Sequence, residues 1–457
     1  MLALTKTPGQ ADSLAGGSQP QAAIGARLLN GALWSIVGAA LARGLNLGAA
    51  VIAARLLGIT TFGELGMIQS TQGLFGVFAG AGLGLAATKH VAEFHAQDPR
   101  RSGRCITLSV RFALLTGLVA TLGLALLSPW IAATVLSRPE LGTALRLASL
   151  LVLLGAVSGV QTGCLAGLEQ FRLIAVVGVL RGVFLIGATI MGIAWAGLTG
   201  AIVALAGAET VAVVTQAFCL RPHSAPLRGS DGWREFRHVW RFSLFALLGN
   251  LATMPAMWLG NVVLVRQPQG YAALGIFNAA DRWRQVLQFL PASLASPILA
   301  LLSSLHGARD AQGYRRVFRA NLVLTMIIVA LPSAVLIVFS NLAMELFGRE
   351  YGVGSITLTI LALSAVAYVL NGLLGQVLVS QGAIGLRFLV DIMLAALLAA
   401  VAWWLVPAQG ANGLALGYLV AYGAAAVSLV IPVHYYLRRR QNEDVPGPPV
   451  FDEGGVP

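Results

Sequence analysis

Charge is the first thing this chain lacks. Only 11% of its 457 residues are Asp, Glu, Lys or Arg, against 57% hydrophobic residues and a mean hydropathy of +0.80. A soluble globular chain carries about a quarter charged residues, so that class is excluded. Lysine is nearly missing: Lys6 and Lys89 stand alone, neither behind the glycine pattern of a nucleotide-binding loop, and ATP hydrolysis is not expected. Cys105, Cys164 and Cys219 are too few and too far apart for a disulfide framework. Long polar segments are also scarce. The longest internal one, Arg221–Trp240, has Asp231 and Glu235 as its acids, too little for a catalytic loop with paired carboxylates. No catalytic residue, resident cofactor or metal is therefore assigned, and the chain is not expected to be an enzyme. His90 and His95 flank Glu93 but read as ordinary loop charges. Period-two alternation is absent, which excludes a membrane β-barrel.

What the chain has instead is long apolar runs. About twelve reach the roughly 20 residues needed to cross ~30 Å of hydrocarbon: 28–53, 63–87, 106–130, 145–167, 173–196, 198–220, 241–265, 272–304, 319–340, 355–380, 386–406 and 411–437. Residues 1–27 lack the pattern of a cleavable signal and read as a cytoplasmic N-terminal segment. The organisation expected is a six-helix bundle over 28–220, a cytoplasmic linker at 221–240, a second six-helix bundle over 241–437 and a disordered tail at 438–457.

Orientation follows from arginine. With the N-terminus inside, 21 of the 30 Lys and Arg fall in cytoplasmic segments, Arg387 among them. Five face outside: Arg55, Arg138, Arg146, Arg266 and Arg349. The positive-inside rule thus places both termini in the cytoplasm. Topology and attraction to anionic headgroups account for these loop charges, so the net charge of +12 does not imply nucleic acid.

The chain also repeats itself. "FGELGMIQSTQG" (62–73) aligns without gaps on "YAALGIFNAADR" (271–282), pairing Leu65 with Leu274 and Gly66 with Gly275. Each segment follows a span ending near an arginine, Arg55 in one half and Arg266 in the other. Spans two and eight are then equivalent, and an even repeat of six gives parallel halves related by an axis along the membrane normal. The fold class is an all-α integral membrane protein with about twelve transmembrane helices, in two parallel-repeat six-helix bundles around a central cavity. Small residues such as Gly76, Gly80 and Gly84 supply a ridge for close helix packing. Pro255, Pro291 and Pro297 are candidate bending points.

Four arginines lie inside the spans: Arg43, Arg181, Arg282 and Arg284. Acids at comparable depth are Glu209, Asp281 and Asp391. A charge at mid-membrane costs a few kcal/mol, and arginine cannot shed its proton. Asp281 is placed to pair with Arg284, and Glu209 with Arg181; Arg43 and Arg282 have no local acid. On a helix at 100° per residue, Asn278, Asp281, Arg282, Gln285 and Gln288 fill a stripe about 120° wide, with Arg284 just outside it and Leu287 opposite. The matching face of span two carries Gln69 and Gln72. An arginine-lined cavity favours an anion, because guanidinium binds phosphate bidentately.

At these residues the chain resembles a known family. "ARLLGITTFGELG" (54–66), "LAGLEQFRLIAVVGVLRG" (165–182) and "GIFNAADRWRQVLQFLPASLASPILALLSSL" (275–305) resemble the polysaccharide-transporter branch of the multidrug/oligosaccharidyl-lipid/polysaccharide exporter superfamily, which includes Wzx-type flippases. The resemblance implies an alternating-access flippase in the bacterial inner membrane, moving a polyprenyl-pyrophosphate-linked oligosaccharide for surface polysaccharide assembly. A polysaccharide polymerase and chain-length machinery are the implied protein partners. On this reading Arg43 and Arg282 hold the pyrophosphate with Arg181 and Arg284 nearby, while Gln69, Gln72, Asn278 and Gln285 meet sugars. Proton or sodium coupling stays open, with Glu209, Asp281 and Asp391 as candidates. The alternative is an ion-coupled multidrug or other small-molecule exporter of the same superfamily.

Overall fold

The computed structural model describes the backbone of residues 21–80, 82–95, 98–225, 253–308 and 310–443; side chains are described from 37 to 436 within those segments, 296 excepted. Among these residues the regular structure is helical: α1 (Gln21–Gly80), α2 (Leu83–His95), α3 (Pro99–Trp130), α4 (Leu141–Ala148), α5 (Leu150–Gly167) and α6 (Phe171–Leu220) form the first half. The second half comprises α7 (Thr253–Val265), α8 (Gly270–Gly307), α9 (Ala311–Val338), α10 (Ser340–Glu345), α11 (Ser355–Ser380), α12 (Ile384–Gln409) and α13 (Ala411–Glu443).

Nine stretches among the described residues are long and apolar enough to cross a membrane. Two of them, Val37–His95 and Phe171–His223, are far too long for a single crossing. Both break near their middle. Gly58 adopts φ 75°, and Ala196–Gly197 leaves helical geometry with Gly197 at φ 53°, a left-handed conformation that a residue without Cβ adopts at no steric cost. The arms of α6 fold back so closely that a Cβ on Gly200 would overlap the Gly192 carbonyl. Dividing both stretches gives eleven passes among the described residues, and α7, whose described part is shorter, takes the place of the twelfth expected one. The turns at Gly58 and Ala196–Gly197, with the links after α3, α7 and α10, share one end of the molecule, called here the turn end.

Several boundaries differ from the sequence reading. Helix begins at Gln21, ahead of the first expected span at 28, and α13 runs to Glu443, past the start of the expected tail. Span two is interrupted at Gly82 (φ 68°). The glycine ridge divides there: Gly84 packs against Gly159 and Gly163 of α5, while Gly76 and Gly80 face an open groove. The chain stays helical through Pro291 and Pro297, so the backbone departs from helix at glycines rather than at these prolines. Arg387, counted with the cytoplasmic charges at the start of the span 386–406, lies in the first turn of α12 and binds Asp391. Most of the 221–240 linker lies outside the described residues.

The halves meet where the α1 arm after Gly58 crosses α8. A Cβ on Gly63 would overlap the Tyr271 carbonyl, and one on Gly275 would overlap that of Ile59. These are the two repeat segments, packed against each other.

At the turn end each half clasps the other. Arg55 Nε donates to the Leu346 carbonyl at 2.8 Å. Arg266 donates from Nε to Val135 at 2.9 Å and from Nη2 to Thr134 at 2.6 Å. Residue 266 lies 211 positions beyond 55, and 346 lies 211 beyond 135, two more than the 209 that separates the aligned segments, so the clasps fall at near-equivalent positions of the two halves. Tyr271 Oη donates to Leu136 at 3.0 Å, Arg138 pairs with Glu64 at 2.8 Å, and Phe62, Phe347 and Tyr351 stack beneath.

Candidate functional site

Below this seal, a cavity of about 280 Å³ lies between α1, α5, α6 and α8. Its polar lining is Asn46, Gln69, Gln72, Arg181, Thr189, Glu209, Asn278 and Arg282. Counting 1.5 Å per residue from the nearest turn puts Asn46, Arg181, Glu209 and Arg282 all roughly 20 Å deep, near the middle of a bilayer. They come from three separated stretches of chain, and helix length alone brings them to one level.

Each predicted residue now has a place. Arg282 donates from Nη2 to Gln69 Oε1 at 2.7 Å, across the two halves. Arg43 does not line the main cavity. It lies in a cleft between α1 and α8 that shares Asn46 and Arg282 with it, its guanidinium 4.5 Å over the Phe289 ring. Among the described residues neither Arg43 nor Arg282 has an acidic ion-pair partner. Arg181 Nη2 meets Glu209 Oε1 at 2.5 Å on the cavity wall. Asn278 lines the cavity beside Gly66, with Nδ2 buried and unpartnered. Gln72 lies both in the cavity and in a second groove between α1 and α5. Gln285 lines the α1–α8 cleft and donates to Asp281 Oδ2 at 2.7 Å.

Arg284, Asp281 and Asp391 do not line the cavity. Arg284 is 7% exposed, donates from Nε to Asp281 at 2.6 Å, and stacks 4.9 Å over Tyr418 of α13. The helical wheel puts Arg284 at the edge of the polar stripe; its pairing with Asp281 and an aromatic wall turn it into the second half. Asp391 is held by Arg387 at 2.7 and 3.2 Å, and Arg387 also donates to Asn371. Asn46 and Thr189 are cavity residues outside the predicted site, and Phe289 is a stacking partner outside it. Asn46 lies one helical turn after Arg43 in the sequence; Thr189 and Phe289 carried no polar periodicity to mark them.

Counting formal charges, the lining holds two arginines and one glutamate, and Arg43 adds a third cation next door. The surplus is positive, in a place where an unpaired cation is costly. Guanidinium offers five donors in a fixed fork suited to oxyanions, so the arrangement is suited to receive an anion from the side or from below.

Comparison with known proteins agrees with this architecture. The family model described as "Polysaccharide biosynthesis protein" matches residues 28–306. The EPS I polysaccharide export inner membrane protein EpsE of Ralstonia nicotianae is 24% identical over 401 residues, 84% of this chain and 86% of its own. The Lipid III flippase of Escherichia coli is 25% identical over 435 residues, 86% of this chain and 96% of its own. Among solved structures, an inward-facing MATE family multidrug transporter of the MOP superfamily superposes with a TM-score of 0.76 at 16% identity, covering 88% of this chain and 95% of that one. At that identity the likeness shows the fold alone, an all-α bundle of membrane-spanning helices. Since the family match spans more than half its length, the chain belongs to the polysaccharide biosynthesis protein family.

Proposed function

We propose that this protein is a flippase that moves a polyprenyl-pyrophosphate-linked oligosaccharide across the bacterial inner membrane by alternating access, with both termini cytoplasmic. The observation that carries the proposal is the pair Arg43 and Arg282: two guanidinium groups at mid-depth, without acidic partners, flanking one passage between α1 and α8. The pyrophosphate sits between them. Gln69, Gln72, Asn46 and Asn278 offer hydrogen bonds to the first sugars, and the polyprenyl tail stays in lipid outside the α1–α8 cleft. A cavity of about 280 Å³ is at the small end of ligand sites, so it takes the headgroup and adjacent sugar while the rest of the glycan occupies the open side. The reciprocal arginine clasps close the turn end, which is periplasmic on this orientation. A polymerase and chain-length machinery would receive the product there.

Export of a cationic drug fits less well. It calls for surplus negative charge, and the lining sets two arginines, Arg181 and Arg282, against the acid Glu209. If an acid couples transport to protons or sodium, Glu209 is the candidate, because arginines hold Asp281 and Asp391 away from the cavity.

The test is transport in cells expressing matched levels of each variant, read as lipid-linked oligosaccharide accumulating on the cytoplasmic leaflet. Arg282→Ala should block transport while leaving the protein inserted, and Arg282→Lys should retain part of it, keeping charge but losing the fork. Leu287→Ala, packed against Val329, Ala362 and Ala365, should transport nearly normally. Normal transport in Arg282→Ala with failure in Leu287→Ala would overturn the proposal.

A further inference from the structure

Three acid–arginine pairs lie within the transmembrane part of the described structure, and they are built differently. Arg284 reaches Asp281 through both Nε and Nη2, the other carboxylate oxygen is taken by Gln285, and the guanidinium is stacked on Tyr418. Arg387 grips both oxygens of Asp391, through Nε and Nη2, and spends Nη1 on the Asn371 carbonyl and side chain. Both arginines are held by several contacts and sit away from the cavity. Arg181 and Glu209 share a single contact, Nη2 to Oε1 at 2.5 Å. Glu209 Oε2 has no described partner, and Arg181 Nε is buried without one. The two side chains remain 30% and 19% exposed, and both line the cavity. A multipoint pair in an apolar wall resists separation. A one-point pair on a polar cavity can exchange its anion for another at little cost, since each partner meets a new polar environment rather than hydrocarbon.

From this contrast we infer that Glu209 is a displaceable counter-ion: it occupies Arg181 in the empty cavity and yields it to a phosphate of the entering headgroup. The inference rests on the reading of the cavity as an anion site. Charged groups near Glu209 come from three elements: Arg181 on the facing arm of α6, Arg282 on α8, and Arg43 on α1 in the adjoining cleft. With substrate bound, three guanidinium groups face the pyrophosphate. With the cavity empty, Glu209 offsets one of them, which lowers the cost of closing the empty carrier around its own cations during return. Glu209 therefore weakens substrate binding and speeds the return step. A merely structural ion pair would do neither.

The experiment uses the full-length protein in detergent, with farnesyl diphosphate as probe and calorimetric titration as readout. Glu209→Gln should tighten Kd by about three- to tenfold, about 0.7–1.4 kcal/mol. The Arg181→Gln/Glu209→Gln double variant should lose that gain, because the freed arginine is gone. In proteoliposomes Glu209→Gln should lower KM and kcat together, the mark of tight binding with slow return. Should Glu209→Gln fold poorly, Glu209→Asp, whose shorter side chain cannot hold the single contact, should move Kd the same way. Unchanged or weaker binding in both variants, while Arg282→Ala still loses the probe, would refute the counter-ion role and leave the anion site standing. Probe affinity indifferent to Arg282→Ala would instead overturn the anion site itself, and this inference with it.

Discussion

Removing the turn-end clasps should open the cavity on the side where it is now shut. Arg55 contributes one hydrogen bond to the opposite half and Arg266 contributes two, all from charged donors to backbone carbonyls at an exposed rim. At about 1 kcal/mol net per bond, Arg55→Ala removes about 1 kcal/mol from the closed state and Arg266→Ala about 2. The two arginines donate to carbonyls in different parts of the chain, so their effects should add to about 3 kcal/mol. That total shifts the ratio of closed to open by about two orders of magnitude. The assay is labelling of a single cysteine at Leu65, a cavity residue only 4% exposed, in a background with Cys105, Cys164 and Cys219 replaced by serine. An impermeant maleimide added from the periplasmic face of spheroplasts should react in the order wild type, Arg55→Ala, Arg266→Ala, double variant. If the double variant labels no faster than wild type, the clasps are ornamental and the Phe62–Phe347–Tyr351 cluster, with the Tyr271 and Arg138 contacts, closes that end.

The remaining predictions concern packing and topology. Asp281→Asn should lower abundance by leaving buried Arg284 without its acid, and exchanging the two residues should partly restore it; normal abundance with lost transport would place Asp281 in the transport cycle instead. Gly275→Val, whose Cβ would overlap the Ile59 carbonyl, should cost about 1–3 kcal/mol by overpacking, read as a lower unfolding temperature in detergent, whereas Gly372→Ala, with open space around it, should not. Reporter fusions after Arg104, Arg234 and Arg316 should read cytoplasmic and those near Arg138 and Arg349 periplasmic; a periplasmic signal at Arg234 would break the twelve-pass topology.

Much of this protein was legible in its chain because a bilayer imposes a simple rule. Every pass needs a run of apolar residues, and every charge inside a run needs a reason. Twelve expected passes, four intramembrane arginines and the Asp281–Arg284 pair follow from local pattern and spacing, and the Arg181–Glu209 pair from matching depth in successive passes. The repeat was visible through Gly66 and Gly275, since the close crossing of the two segments tolerates only small residues. Positions that depend on a neighbouring helix were not legible. Arg43 was read as a direct cavity ligand, but Phe289 of α8 holds it in the side cleft. Arg284 was read as a substrate contact, but Tyr418 of α13 draws it into the second half. Arg387 was counted only as a cytoplasmic charge; its i, i+4 pairing with Asp391 is local, but its other partner, Asn371, comes from α11.

Composition, hydropathy and arginine placement by themselves determined that the chain is a helical membrane protein, how many times it crosses, and that cations lie at mid-depth. The tertiary structure alone decided which cations face the cavity, that Arg55 and Arg266 clasp opposite halves, and that one ion pair is open while two are closed. The physical reason is range: a helix's apolar length and its i, i+3 or i, i+4 charge pairs are local, whereas a guanidinium reaches several ångströms from its backbone and takes its partner from whichever helix the fold sets beside it.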